Sequence, residues 1–288
     1  VTADPASSGE VIRIEAAGGV ALSADAFGDP ASPPLVLLHG AGQTRGAWAD
    51  SGARLASLGW RVIAPDLRGH GESEWSPDGR YPIDQFADDV RAIGGSLGRD
   101  VVLVGASLGG LSSLLAVGEP PHVRARALVL IDIAHRAEVV GVSRIKAFMR
   151  ARPDGFESLE AAGAAVAEYL PHRSAPERLE GLRRNLRHRG GRWIWHWDPR
   201  LLDDLSGVTA SAMTEERHLA AARAAGCPIL LVRGAISDLL SAEIAQEFCA
   251  SVPGATWIDV SGAGHMVAGD RNDRFVECLV PFLSRWAV

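Results

Sequence analysis

The sequence predicts an α/β protein with a mostly parallel central sheet, helices on both faces, and a helical lid inserted after the sixth strand. Three observations predict it. Short aliphatic runs alternate with segments of helical period, the pattern of strands covered on both faces by crossover helices. That alternation stops at Ile133 and resumes only after Gly226-Cys227-Pro228. At the centre of the chain Val101-Val102-Leu103-Val104 runs into Gly105-Ala106-Ser107-Leu108-Gly109-Gly110, and then into the apolar helical run Leu111 to Val117.

The elements follow in order. Val1 to Gly9 is small and polar and reads as a loose tail. Val11 to Glu15 alternates as a strand, Gly18-Gly19 turns, and Val20 to Phe27 is the hairpin partner. Leu35 to Leu38 is a buried strand ending at His39-Gly40-Ala41-Gly42. Arg45 to Leu58 has helical period, and Arg61 to Ala64 is the next strand. Asp84 to Leu97 reads as a helix with Asp84 as N-cap. After the central strand, Leu128 to Ile131 is a sixth strand ending at Asp132. The interruption reads as amphipathic helices over Ser143–Arg150, Leu159–Leu170, Ala175–Arg189 and Thr214–Ala225. Ile229 to Val232, a helix over Ala242–Ser251, Thr256 to Val260 and a helix over Asp273–Trp286 complete the chain. The domain reading is a core of residues 10–132 and 226–288 with a lid of residues 133–225.

With 288 residues, 47% of them hydrophobic and 22% charged, the chain can bury a sizeable core. A net charge of −6 argues against nucleic acid or an anionic membrane as partner. No long apolar span or signal peptide is seen. Cys227, Cys249 and Cys278 are odd in number and show no metal-ligand spacing. A cytoplasmic, reducing location is therefore expected, with no metal and no organic cofactor. The partner expected is a hydrophobic small molecule, and a homo-oligomer is allowed.

A strand that turns sharply into a helix with Ser at the apex holds the hydroxyl clear of the backbone. It also aims the first helical N–H groups at developing negative charge. The simpler reading is Ser107 as an N-cap. In an open α/β sheet, sites lie beyond the carboxyl ends of the strands. The residues following the fifth to eighth strands include Ser107, Asp132, Asp238 and His265, in the chain order nucleophile, acid, base.

His39-Gly40, Asp66-Leu67-Arg68-Gly69-His70-Gly71-Glu72-Ser73, Gly105-Ala106-Ser107-Leu108-Gly109-Gly110 and Gly262-Ala263-Gly264-His265 together resemble the α/β-hydrolase fold superfamily. The resemblance covers roughly residues 10 to 288 and is specific for fold, not for substrate. It implies Ser107 as nucleophile and His265 as base, and Asp238, in the loop after strand seven, as the acid. Asp132 is the alternative acid. Backbone N–H groups of Leu108 and Ala41 are the expected oxyanion hole, and His39 a structural hydrogen-bonder. Asp66, Arg68, His70 and Glu72 become a loop-bracing network. The basic run Arg183, Arg184, Arg187, His188, Arg189 and Arg192 reads as a solvated helix face. In the lid Phe148, Met149, Trp193, Trp195 and Met213 suit an apolar ligand.

The expected chemistry is hydrolysis of a carboxylic ester or lactone of a hydrophobic small molecule through an acyl-enzyme. A Ser at the elbow argues against the members that use an Asp nucleophile. The alternatives within enzymes are carbon–carbon bond hydrolysis and cofactor-free haloperoxidase or perhydrolase chemistry. The alternative of another class is a small-molecule receptor on the hydrolase fold.

Overall fold

A computed structural model describes residues 9–170, 180–204, 212–267 and 272–286; the predicted tail falls almost wholly outside them. The strands are β1 (Glu10–Glu15), β2 (Ala21–Phe27), β3 (Pro34–Leu38), β4 (Arg61–Pro65), β5 (Val101–Ala106), β6 (Ala125–Ile131), β7 (Leu186–Arg189), β8 (Arg192–Trp195), β9 (Ile229–Gly234) and β10 (Thr256–Val260). The α-helices are α1 (Ala49–Ser57), α2 (Ile83–Leu97), α3 (Leu108–Gly118), α4 (Val139–Arg150), α5 (Leu159–Tyr169), α6 (Glu180–Arg183), α7 (Leu201–Asp204), α8 (Ala212–Ala224), α9 (Ala242–Ser251) and α10 (Asn272–Leu283).

Eight strands form one sheet in the order β1-β2-β4-β3-β5-β6-β9-β10. β2 pairs antiparallel with β1 and β4, and every later pairing in the sheet is parallel. The aliphatic runs divide between two cores because successive side chains point to opposite faces. Val36, Leu38, Val101 and Leu103 face one layer, with α2, α3 and α9. Leu35, Leu37, Val102 and Val104 face the other, with α1 and α10. α3 is buried along its whole length, which explains its lack of an amphipathic stripe. α2 starts one residue before Asp84, with Pro82 at the cap, so Asp84 sits in the first turn rather than capping it.

The segment between β6 and β9 differs from its all-helical expectation. α4, α5 and α8 lie where helices are predicted. The expected helix over Ala175–Arg189 is instead the short α6 followed by a two-stranded hairpin, β7 with β8; residues 171–179 lie outside the described structure. Gly190 and Gly191 at its tip have φ of 59° and 76°. Two consecutive positive φ values are what a tight hairpin turn demands, and only glycine adopts them without strain. At its end, α8 packs on α3 so closely that a Cβ on Gly118 would lie 2.1 Å from the Ala221 carbonyl oxygen. Ala221 and Ala222 belong to the main core. α8, which the expected lid of residues 133–225 includes, therefore packs into the core layer. Among the described residues no helix is long and apolar enough to cross a membrane.

Candidate active site

The turn from β5 into α3 brings Ser107 to the carboxyl edge of the sheet at φ 46° and ψ −112°, a conformation rarely populated by a residue with a side chain. Two glycines make the turn possible. A Cβ on Gly105 would lie 2.4 Å from the Gly109 carbonyl oxygen, and one on Gly109 would lie 2.6 Å from the Leu38 carbonyl oxygen. Ser107 stands at the N-cap position of α3, but its hydroxyl makes no capping bond to the helix.

Asp132, at the end of β6, also has a positive φ, 49°, and is fully buried. Its carboxylate is held from several sides. Oδ1 accepts the Gly234 N–H at 2.9 Å. Oδ2 accepts the Ser237 hydroxyl and, at 2.8 Å, the His265 Nδ1–H. A buried carboxylate needs such donors to offset its desolvation. The bond through Nδ1 leaves Nε2 as the ring nitrogen available for chemistry.

This geometry brings His265 to Asp132 and not to the expected acid, Asp238. Asp238 is partly exposed and accepts Arg144 Nη1 at 2.7 Å, and it makes no bond to His265. The loop after β9 turns Ser237 inward to Asp132 and Asp238 outward to α4. Ser237 is the residue sequence reasoning missed, although it stands next to Asp238. The alternative, Asp132, is the carboxylate that meets His265.

The loop after β3 is locked by its neighbours. His39 donates from Nδ1 to the Gly40 carbonyl at 2.8 Å and accepts the Leu67 N–H on Nε2 at 2.9 Å. His70 Nε2 accepts the Gly42 N–H at 3.1 Å, and Gln43 Oε1 accepts the Gly40 N–H at 2.9 Å. Burial pushes the His39 pKa down to about 4 and the His70 pKa to about 3, so both rings are neutral acceptors here. The Ala41 N–H, between these tied groups, has no protein acceptor among the described residues. The Leu108 N–H, first of α3, has no carbonyl of its own helix to bond. Behind the loop, Asp66 binds Arg45 and the Glu72 N–H, and Arg68 forms a buried pair with Asp89. Burial raises the Asp89 pKa, with Arg68 opposing that shift.

Ser107 and His265 line one cleft of about 100 Å³ together with Gly40, Ala41 and the α4 side chains Phe148 and Met149. A second, apolar branch of about 70 Å³ shares Ser107, Ala41 and Met149 and runs along α3 and α4. Trp197 lines the first branch and stacks on Trp195 with ring centroids 5.0 Å apart. Trp195 and Trp193 do not reach this cleft. Trp195 packs edge-on against Phe148 and Phe156, while Trp193 packs against His188. Met213 is 82% exposed at the start of α8 and lies away from the cleft. The basic side chains from Arg183 to Arg189 are exposed, but they span α6 and the β7–β8 hairpin rather than one helix face. Arg187 donates to the Gly71 carbonyl, and Arg192 to the carbonyls of Asp154 and Gly155. Among the described residues no group of three His, Cys, Asp or Glu side chains is placed to hold a metal ion.

A family model described as the alpha/beta hydrolase family matches residues 35–278. The 3-hydroxybutyrate-oligomer hydrolase of Cupriavidus necator is 30% identical over 250 residues, which is 83% of this chain and 85% of that protein. An esterase of Mycobacterium tuberculosis is 28% identical over 278 residues, 93% of this chain and 87% of that protein. The crystal structure of E-2-(acetamidomethylene)succinate hydrolase superposes with a TM-score of 0.84 at 24% identity, covering 96% of this chain and 99% of that one.

Proposed function

The chain belongs to the alpha/beta hydrolase family, and we propose that it cleaves a carboxylic ester of a small hydrophobic molecule with Ser107 as nucleophile, His265 as general base and Asp132 as the orienting acid. The observation that carries this reading is the 2.8 Å bond from His265 to the buried Asp132, with Ser107 held at a strained turn in the same cleft.

Ser107 Oγ attacks the ester carbonyl carbon while His265 Nε2 takes its proton. Asp132 holds the ring by its Nδ1–H and stabilises the imidazolium that forms. The carbonyl oxygen, now an anion, accepts the Leu108 N–H at the start of α3 and the Ala41 N–H, which the rigid loop after β3 aims without reorganisation. The imidazolium then protonates the departing alkoxide, leaving an acyl-Ser107. Water, deprotonated by His265, attacks this ester through the same oxyanion geometry and releases the carboxylic acid with Ser107 restored. Similarity to proteins named as an oligomer hydrolase and as an esterase supports ester cleavage. The apolar walls contributed by Phe148, Met149 and Trp197 support a hydrophobic substrate. A lactone is the cyclic form of the same substrate class. The segment carrying α4, α5 and the β7–β8 hairpin acts as the lid over this cleft.

Turnover of a p-nitrophenyl ester series tests the reading. Activity on short and medium acyl chains that falls by about three or more orders of magnitude in Ser107→Ala supports it. Unchanged turnover in that variant would contradict it.

A further inference from the structure

Among 29 lysine and arginine residues the chain contains a single lysine, Lys146. It stands on α4 within the series Val142, Ile145, Lys146 and Met149, the spacing of one helix face. All four side chains line the apolar branch beside Ser107. Lys146 is half-buried there and is the one charged side chain lining that branch. Both arginines of the same helix have partners. Arg144 pairs with Asp238, and Arg150 donates to the Leu202 carbonyl. Among the described residues Lys146 has no ion pair or hydrogen bond.

We infer that Lys146 is a specificity-determining residue that reads a carboxylate on the substrate, so that the preferred ester carries a free acid group at the far end of the arm entering the α3–α4 branch. This inference rests on the reading of Ser107 as the nucleophile. Apolar pockets fix their ligands with a few placed polar groups, and a cation in such a wall is worth most against an anion that leaves water with it. An ammonium is a compact charge on a flexible stem. It can follow a single carboxylate along a narrow branch where a planar guanidinium would need a wider opening. The apolar walls then hold the methylene spacer between the ester and the acid. An ester of a hydroxy acid or a half-ester of a dicarboxylic acid has this form.

The test compares matched esters that differ only in that charge. Monomethyl adipate against dimethyl adipate places the acid on the acyl side, and 4-acetoxybutanoate against its methyl ester places it on the alcohol side. The expected result is a kcat/KM ratio favouring the anion by roughly tenfold or more in one pair. That ratio collapses towards unity in Lys146→Met, is partly kept in Lys146→Arg, and turns against the anion in Lys146→Glu. Circular dichroism of each variant checks that it is folded. A binding arm does not depend on turnover: calorimetry of monomethyl and dimethyl adipate with Ser107→Ala, alone and combined with Lys146→Met. Neutral and anionic esters cleaved alike, with no effect of Lys146→Met on the ratio or on binding, would overturn the inference and leave the hydrolase reading standing. Lys146-dependent binding of the monoanion with no turnover of any ester would uphold Lys146 as the carboxylate reader and count against the hydrolase reading instead.

Discussion

Ser237 donates its hydroxyl hydrogen to the same Asp132 oxygen that receives the His265 ring N–H. The backbone N–H groups of Leu239 and Leu240 point back at the Ser237 hydroxyl, at 3.1 and 3.4 Å, so its one proton is committed to Asp132. The loop after β9 thus fixes the carboxylate that fixes the histidine. Ser237→Ala is expected to lower kcat by roughly tenfold with little change in KM, as loss of one hydrogen bond to a charged group predicts. Steady-state kinetics on a p-nitrophenyl ester checks this; an unchanged kcat would remove Ser237 from the site.

Asp132 and Asp238 separate by function in the same assay. Asp132→Asn leaves the ring without its anionic partner and should lower kcat by about three to four orders of magnitude. Asp238→Asn breaks only the exposed pair with Arg144, a contact that ties α4 to the loop after β9. It should keep kcat within a few-fold and change stability by less than about 1 kcal/mol. Kinetics and urea denaturation of the two variants, measured together, distinguish the roles.

Acid should destabilise the protein through the two buried histidines that brace the loop after β3. Both pKa values are depressed by burial, to about 4 for His39 and about 3 for His70. Between those values and the unfolded pKa of about 6.5, the unfolded chain binds more protons than the folded one. Their neutral forms therefore favour folding fully above pH 6.5, and this contribution is lost as the pH falls towards 4 and 3. Those shifts correspond to a loss of about 3 kcal/mol for His39 and about 5 kcal/mol for His70. His70→Gln keeps an acceptor for the Gly42 N–H but cannot titrate. Its urea midpoint should fall less steeply between pH 6.5 and 4 than that of the parent protein.

The aromatic wall makes a paired prediction. Trp197→Ala should raise KM for medium-chain esters several-fold, because its indole lines the cleft. Met213→Ala should leave KM as it is, because that side chain is exposed on α8. Equal effects of the two substitutions would contradict the placement of the cleft.

That Ser107 and His265 meet in one cleft was legible because local signals place them: glycines around one, a glycine-rich loop after the last strand for the other. The sheet was legible because its buried strands are continuous aliphatic runs. The acid was not. Asp132 and Asp238 follow the adjacent parallel strands β6 and β9, and which carboxylate turns inward depends on the φ of 49° at Asp132 and on Ser237. The β7–β8 hairpin had a signal in Gly190-Gly191, masked by a basic run that suits a helix surface equally well. Trp193, Trp195 and Trp197 alternate along the sequence, but β8 ends at Trp195, and Trp197 bridges instead to His70. That long-range pairing sends Trp197 into the cleft.

The most direct test of the central claim is trapping of the nucleophile with a fluorophosphonate, located by intact mass and peptide mapping. A single adduct on Ser107, formed at least about a hundredfold more slowly in His265→Ala, is the predicted result. An adduct on another residue, or labelling of Ser107 at the same rate without His265, would contradict the account.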